Sequence, residues 1–123
     1  MVAILMLATM PVVAQQKGPV TVASQALPVS VKAGQYQIVN AVLDIPPGAG
    51  IPKHVHGGPV AVSVLSGQLT VTDRLGTRVV KAGQGWTEQT GYVHSVVNKG
   101  QQNVRVAASF LLPKGAALTT MVK

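Results

Sequence analysis

Two of the three histidines in this chain stand one residue apart in KHVHGG, as His54 and His56, and the third, His94, lies far downstream in GYVHSVVN. In an extended strand, residues i and i+2 project from the same face. Two imidazoles side by side are therefore the start of a metal site, although a hydrogen-bonded core pair or a solvent-facing pair would read the same way. The only glutamate, Glu88, lies in GWTEQT and shares a strand face with Trp86. If that face turns inward, Glu88 can accept a proton from a ligand imidazole or act as a general base; otherwise it is an ordinary exposed carboxylate. Gln89 falls on the opposite face and competes as a weak amide ligand. Trp86 serves either as plain packing or as pocket lining.

Other chemistries are excluded by what the chain lacks. With no cysteine there is no disulfide, no thiolate metal site and no cysteine nucleophile. Neither a phosphate-cradling glycine loop nor a serine nucleophile elbow occurs, and carboxylates are too few for paired acid/base work on sugars. The formal charge of +7 comes from cations scattered singly, mostly beside Gly or Pro. A nucleic-acid surface would gather them on one face, so no nucleic-acid partner is expected; the charge is a solvated surface that favours anionic ligands or envelope components.

The elements that must position these side chains are short. VTVASQ, YQIVNAVLDI, VAVSVLS, QLTVTD, TRVVKA, GWTEQ, VHSVVN and VRVAASFLL read as strands, separated by turns rich in Gly and Pro such as KAGQ, PPGAG and AGQG. Connections this short allow antiparallel pairing and leave no room for crossover helices, so the fold expected is all-β, a meander or double Greek key arranged as a sandwich or a single small β-barrel. The first residues, MVAILMLATMPVVA, form an apolar run closing on small residues but lacking a leading basic residue. They are read as a signal peptide over residues 1–14, ahead of a β-barrel domain over 15–123, which makes the protein periplasmic or secreted. No apolar run is long enough to span a membrane.

Between Gly48 and Asn98 the chain resembles the cupin superfamily. Its first motif is matched by Gly48, His54, His56 and Gly67, with Val60 where the family usually places a metal-binding Glu. Its second is matched by Gly83, Gly91, His94 and Asn98, with Gln89 where the family places Pro. The resemblance implies a double-stranded β-helix of jelly-roll type and a site of three histidines, His54, His56 and His94, without the usual carboxylate. Three neutral imidazoles suit a divalent transition metal, Fe, Ni, Cu or Zn, with open positions for water or substrate. An ion without a carboxylate ligand keeps its full charge and favours anionic or chelating guests.

If Val60 points inward, so do Val62 and Val64; Val96 and Asn98 share the face of His94, and Phe110 lies opposite Arg105 on its strand. With Trp86, these are the expected pocket lining around a small apolar ligand. The function that follows is an exported metal-dependent oxidoreductase, similar to three-histidine dioxygenases, acting on a small chelating or anionic substrate. The alternatives are an exported, non-catalytic module that binds a small ligand or metal, and a barrel with vestigial histidines. A homodimer is expected, using the PVTVASQALPVS segment, and metal occupancy is expected to fall below a pH of about 6 to 6.5, where free histidine protonates.

Overall fold

In the computed structural model, which describes residues 18–123, the alternating runs become strands because every second side chain finds apolar company. The described residues form β1 (Tyr36–Ile45), β2 (Gly50–His56), β3 (Val60–Ser66), β4 (Gln68–Asp73), β5 (Gly76–Lys81), β6 (Gly85–Glu88), β7 (His94–Val97), β8 (Val104–Pro113) and β9 (Thr119–Met121). The leader expected at residues 1–14 lies outside the described residues.

The strands form two antiparallel sheets, ordered β1-β8-β3-β6 and β5-β4-β7-β2-β9. They do not close into one continuous barrel; the arrangement is a jelly roll whose two inner faces share one aliphatic core. β8 pairs along its whole length with β1, Tyr36 opposite Pro113 through Ile45 opposite Val104, and β3 takes its other edge. The alternation VAVSVLS buries Val60, Val62 and Val64 and turns Ala61, Ser63 and Leu65 outward. From the facing sheet come Leu69, Val71, Val80 and Val96. Each such side chain contributes about 1.5–3 kcal/mol when fully buried. The Asp44–Arg105 pair joins β1 and β8 within one sheet and is exposed to solvent, whereas the shared apolar core is what holds the two sheets together.

Two elements differ from the sequence reading. Residues 20–25 form no strand: Val20 and Val22 are exposed, and the segment runs irregularly past the outer side of the first sheet, where the Gln89 side-chain amide donates to the Pro28 carbonyl at 3.0 Å. Among the described residues its alternation finds no strand to pair with. Conversely, β9 lies in a stretch that carries no alternation and is exposed throughout; its place comes from its ladder with β2, His54 opposite Met121 and His56 opposite Thr119.

Candidate metal centre

β2 and β7 are neighbours in the five-stranded sheet, and their register sets His54 directly opposite His94. The ladder is irregular between Ile51 and His54, at Pro52, which has no N–H to contribute. Beyond this irregularity His54 and His56 both turn into the core, where all three histidines are buried. The ring centroids of His54 and His94 lie 4.0 Å apart, those of His54 and His56 4.8 Å, and those of His56 and His94 5.1 Å. One ring nitrogen from each lies within 4.8 Å of the others.

Each Nδ1 faces a main-chain carbonyl: Pro52 for His54 at 2.7 Å, Leu118 for His56 at 2.8 Å, and Tyr92 for His94 at 3.1 Å. A carbonyl only accepts, so each ring carries its hydrogen on Nδ1 and keeps a lone pair on Nε2. Three such lone pairs on one inner face suit a divalent transition metal, and the group can hold one. Burial also disfavours the charged rings. It lowers His94 to about 4, against the opposing bond to the Tyr92 carbonyl, and it lowers His56 as well. Neutral imidazole is the form a metal needs.

Glu88 stands behind His94. Its register partner on β3 is Val60, so a carboxyl sits one strand away from the position where a cupin usually carries its Glu. The Trp86 indole N–H donates to Glu88 Oε1, while Oε2 lies 3.0 Å from His94 Nδ1. That nitrogen's hydrogen is directed at the Tyr92 carbonyl, and Glu88 Oε2 is left without a donor. Burial pushes the Glu88 carboxyl up to about 7, more than the Trp86 hydrogen bond lowers it. Between pH 4 and 7 this contact therefore joins a neutral acid to a neutral imidazole and is no ion pair.

The three rings form one end of an internal cavity of about 110 Å³ between the sheets. Of the side chains expected to line it, Val62, Trp86, Val96 and Phe110 do so. Val60 and Val64 are buried in the core without lining it. Asn98 lies outside the lining: β7 ends at Val97, and the Asn98 amide donates to the Ile45 and Gln102 carbonyls and accepts from the Gly100 N–H. Gln89, exposed and bonded to Pro28, is also remote from the rings. Residues not anticipated in the lining include Ala41 and Leu43 of β1, whose alternation would have placed them, and Leu118 and Thr119 at β9, which no pattern signals. Among the described residues, no lysine or arginine lines the cavity.

The cupin domain family model matches residues 41–110. Similar solved structures include an uncharacterized conserved protein with a double-stranded β-helix domain from Klebsiella pneumoniae, at 25% identity over 76% of this chain and 82% of that one, with a TM-score of 0.59. A predicted oxalate decarboxylase from Thermotoga maritima is 25% identical over 61% of this chain and 65% of that one, with a TM-score of 0.54. The polyketide cyclase RemF from Streptomyces resistomycificus shares the fold at 20% identity, over 70% of this chain and 61% of that one, with a TM-score of 0.60. Among curated proteins, no sequence matches the chain significantly.

Proposed function

The chain belongs to the cupin domain family, and on that premise we propose that it is a metal-dependent oxidoreductase of dioxygenase type, in which His54, His56 and His94 hold a divalent Fe, Ni, Cu or Zn ion. The carrying observation is that three imidazoles, each tied through Nδ1 to a main-chain carbonyl, converge at one end of an apolar cavity. Bound there, the ion supplies Lewis-acid or redox chemistry.

The substrate class follows from the walls. With no carboxylate among the three ligands and, among the described residues, no cation in the lining, the balancing negative charge comes from the guest. A cavity of about 110 Å³ is smaller than the roughly 150 Å³ engineered cavity that holds benzene. The guest is thus a small molecule with one anionic or chelating oxygen head and an apolar body of a few atoms. Val62, Ala108 and Phe110 exclude water around that body. Glu88 stands beside His94 Nδ1 as an outer neighbour of that ring, and its own side chain does not line the cavity. The oxalate chemistry in the Thermotoga protein's name agrees with a small anionic substrate.

A non-catalytic binding module is the second reading, favoured by a lining that, among the described residues, offers no acid/base side chain other than the histidines. Elemental analysis of protein purified without added metal or chelator, alongside His54→Ala and His94→Ala, comes first. Near-stoichiometric Fe, Ni, Cu or Zn that both variants lose supports the centre; no uptake after reconstitution overturns it. Oxygen consumption in a screen of small diketones, thiols and phenols then separates the enzyme from the module. Export belongs to the same proposal, and mass spectrometry of the protein made with its first residues would read a mature form starting near Gln15.

A further inference from the structure

Among the described residues that line the cavity, only Leu118 and Thr119, where β9 begins, are exposed, Leu118 at 37%. These same two residues hold His56: the Leu118 carbonyl lies 2.8 Å from Nδ1 and the Thr119 hydroxyl 3.2 Å from it. The segment carrying them is seated on the histidine strand at three further points. Gly57 N–H donates to the Ala117 carbonyl at 3.1 Å, Val122 N–H donates to the Lys53 carbonyl at 2.9 Å, and β9 ladders with β2 alone. Gly57 makes the approach possible, because a Cβ there would collide with the Ala117 carbonyl.

We infer that Leu118 is a positioning and specificity-determining residue of this centre: its carbonyl fixes the His56 ring for the ion, and its side chain decides what reaches the cavity. The inference rests on the proposed metal role of His56. A ring whose Nδ1 hydrogen is committed to a carbonyl presents Nε2 bare. Without that acceptor both tautomers are populated, and one of them points N–H at the ion. An ion on Nε2 in turn makes Nδ1–H a stronger donor, so occupancy of the centre and docking of β9 stabilise each other. A guest wider than the gap beside Leu118 has to move the strand that orients a ligand.

The test has a metal-free arm and a metal arm. In metal-free protein, ring-nitrogen NMR of His56 is expected to show Nδ1–H alone, and a mixture of tautomers in a chain lacking residues 118–123. Gly57→Ala, which pushes the Ala117 carbonyl away without touching a histidine, is expected to give the same mixture if the deletion fails to fold. In the metal arm, Co(II) affinity measured against a competing chelator is expected to fall about 10- to 100-fold in both variants, the usual effect of losing a ligand's outer partner. With Co(II) bound, acetate is expected to perturb the visible spectrum of the parent and benzoate not to; Leu118→Ala is expected to admit benzoate. The inference is overturned by mixed tautomers in the parent, by Co(II) affinity unchanged in both the deletion and Gly57→Ala, or by benzoate still excluded from Leu118→Ala. Should the parent take up no Co(II), the metal reading fails, and the tautomer of His56 still decides whether Leu118 positions the ring.

Discussion

Replacing Glu88 with Gln removes the titrating proton while keeping the side chain's shape and an acceptor for the Trp86 N–H. In the folded protein Glu88 keeps its proton up to about 7; in the unfolded chain it releases it near 4.5. The folded state therefore binds more protons within that window, and stability falls as pH rises through it, complete below 4.5 and lost above 7. His94 slopes the other way, because burial keeps it neutral down to about 4 while the unfolded chain protonates from 6.5, so its contribution falls as pH falls. In the parent the two slopes oppose each other between 4.5 and 6.5. Glu88→Gln leaves the His94 slope alone. Subtracting the two stability curves cancels every other group, and the variant should gain on the parent as pH rises from 4.5 to 7. At 1.36 kcal/mol per pH unit the full span is roughly 3 kcal/mol, and water reaching the site trims it to about 2 kcal/mol. The assay is urea unfolding of chelator-treated protein at closely spaced pH values. Parallel curves, with a difference constant to within about 0.5 kcal/mol, would mean that Glu88 titrates like an exposed carboxyl, and the account of its burial would be wrong.

Because burial lowers His94 to about 4 and depresses His56, these two rings should stay neutral in the metal-free protein below the pH of about 6 at which free imidazole protonates; ring NMR showing both charged at that pH would contradict the assignment. Ala108→Leu places extra carbons in the cavity floor beside Val62; it should cost about 1–3 kcal/mol by overpacking and abolish binding of small carboxylates while metal content holds. Asn98→Ala, which strips three buried or part-buried hydrogen bonds, should lower stability by about 2–4 kcal/mol in thermal unfolding with Co(II) affinity unchanged, since that side chain does not reach the cavity.

Much of the frame was legible because burial writes a period of two into a strand. VAVSVLS and VRVAASFLL announce which side chains turn inward, and the His-x-His spacing announces a shared face. Local alternation does not say which strands become neighbours. Residues 20–25 alternate convincingly and pair with none of the described strands, whereas the exposed β9 finds a partner in β2. The placement of Glu88 beside Val60 depends on β6 lying next to β3, a register between strands that are not consecutive in the chain. Asn98 fits its motif position yet serves the turn after β7, because the strand ends one residue before it. The size of the cavity and the position of its mouth depend on both sheets at once and have no local signature.

The carbonyls that orient the three rings differ in how far away along the chain they originate. His54 and His94 each use the carbonyl two residues earlier on their own segment, so those rings carry their orientation with them wherever the segment goes. His56 uses a carbonyl separated from it by 62 positions. Sensitivity to changes in register is therefore uneven around the centre: the carbonyls that set His54 and His94 depend on no distant segment. A single inserted or deleted residue in the short turn between β8 and β9, far from any histidine in the chain, would instead shift the register that delivers Leu118 and disable one ligand.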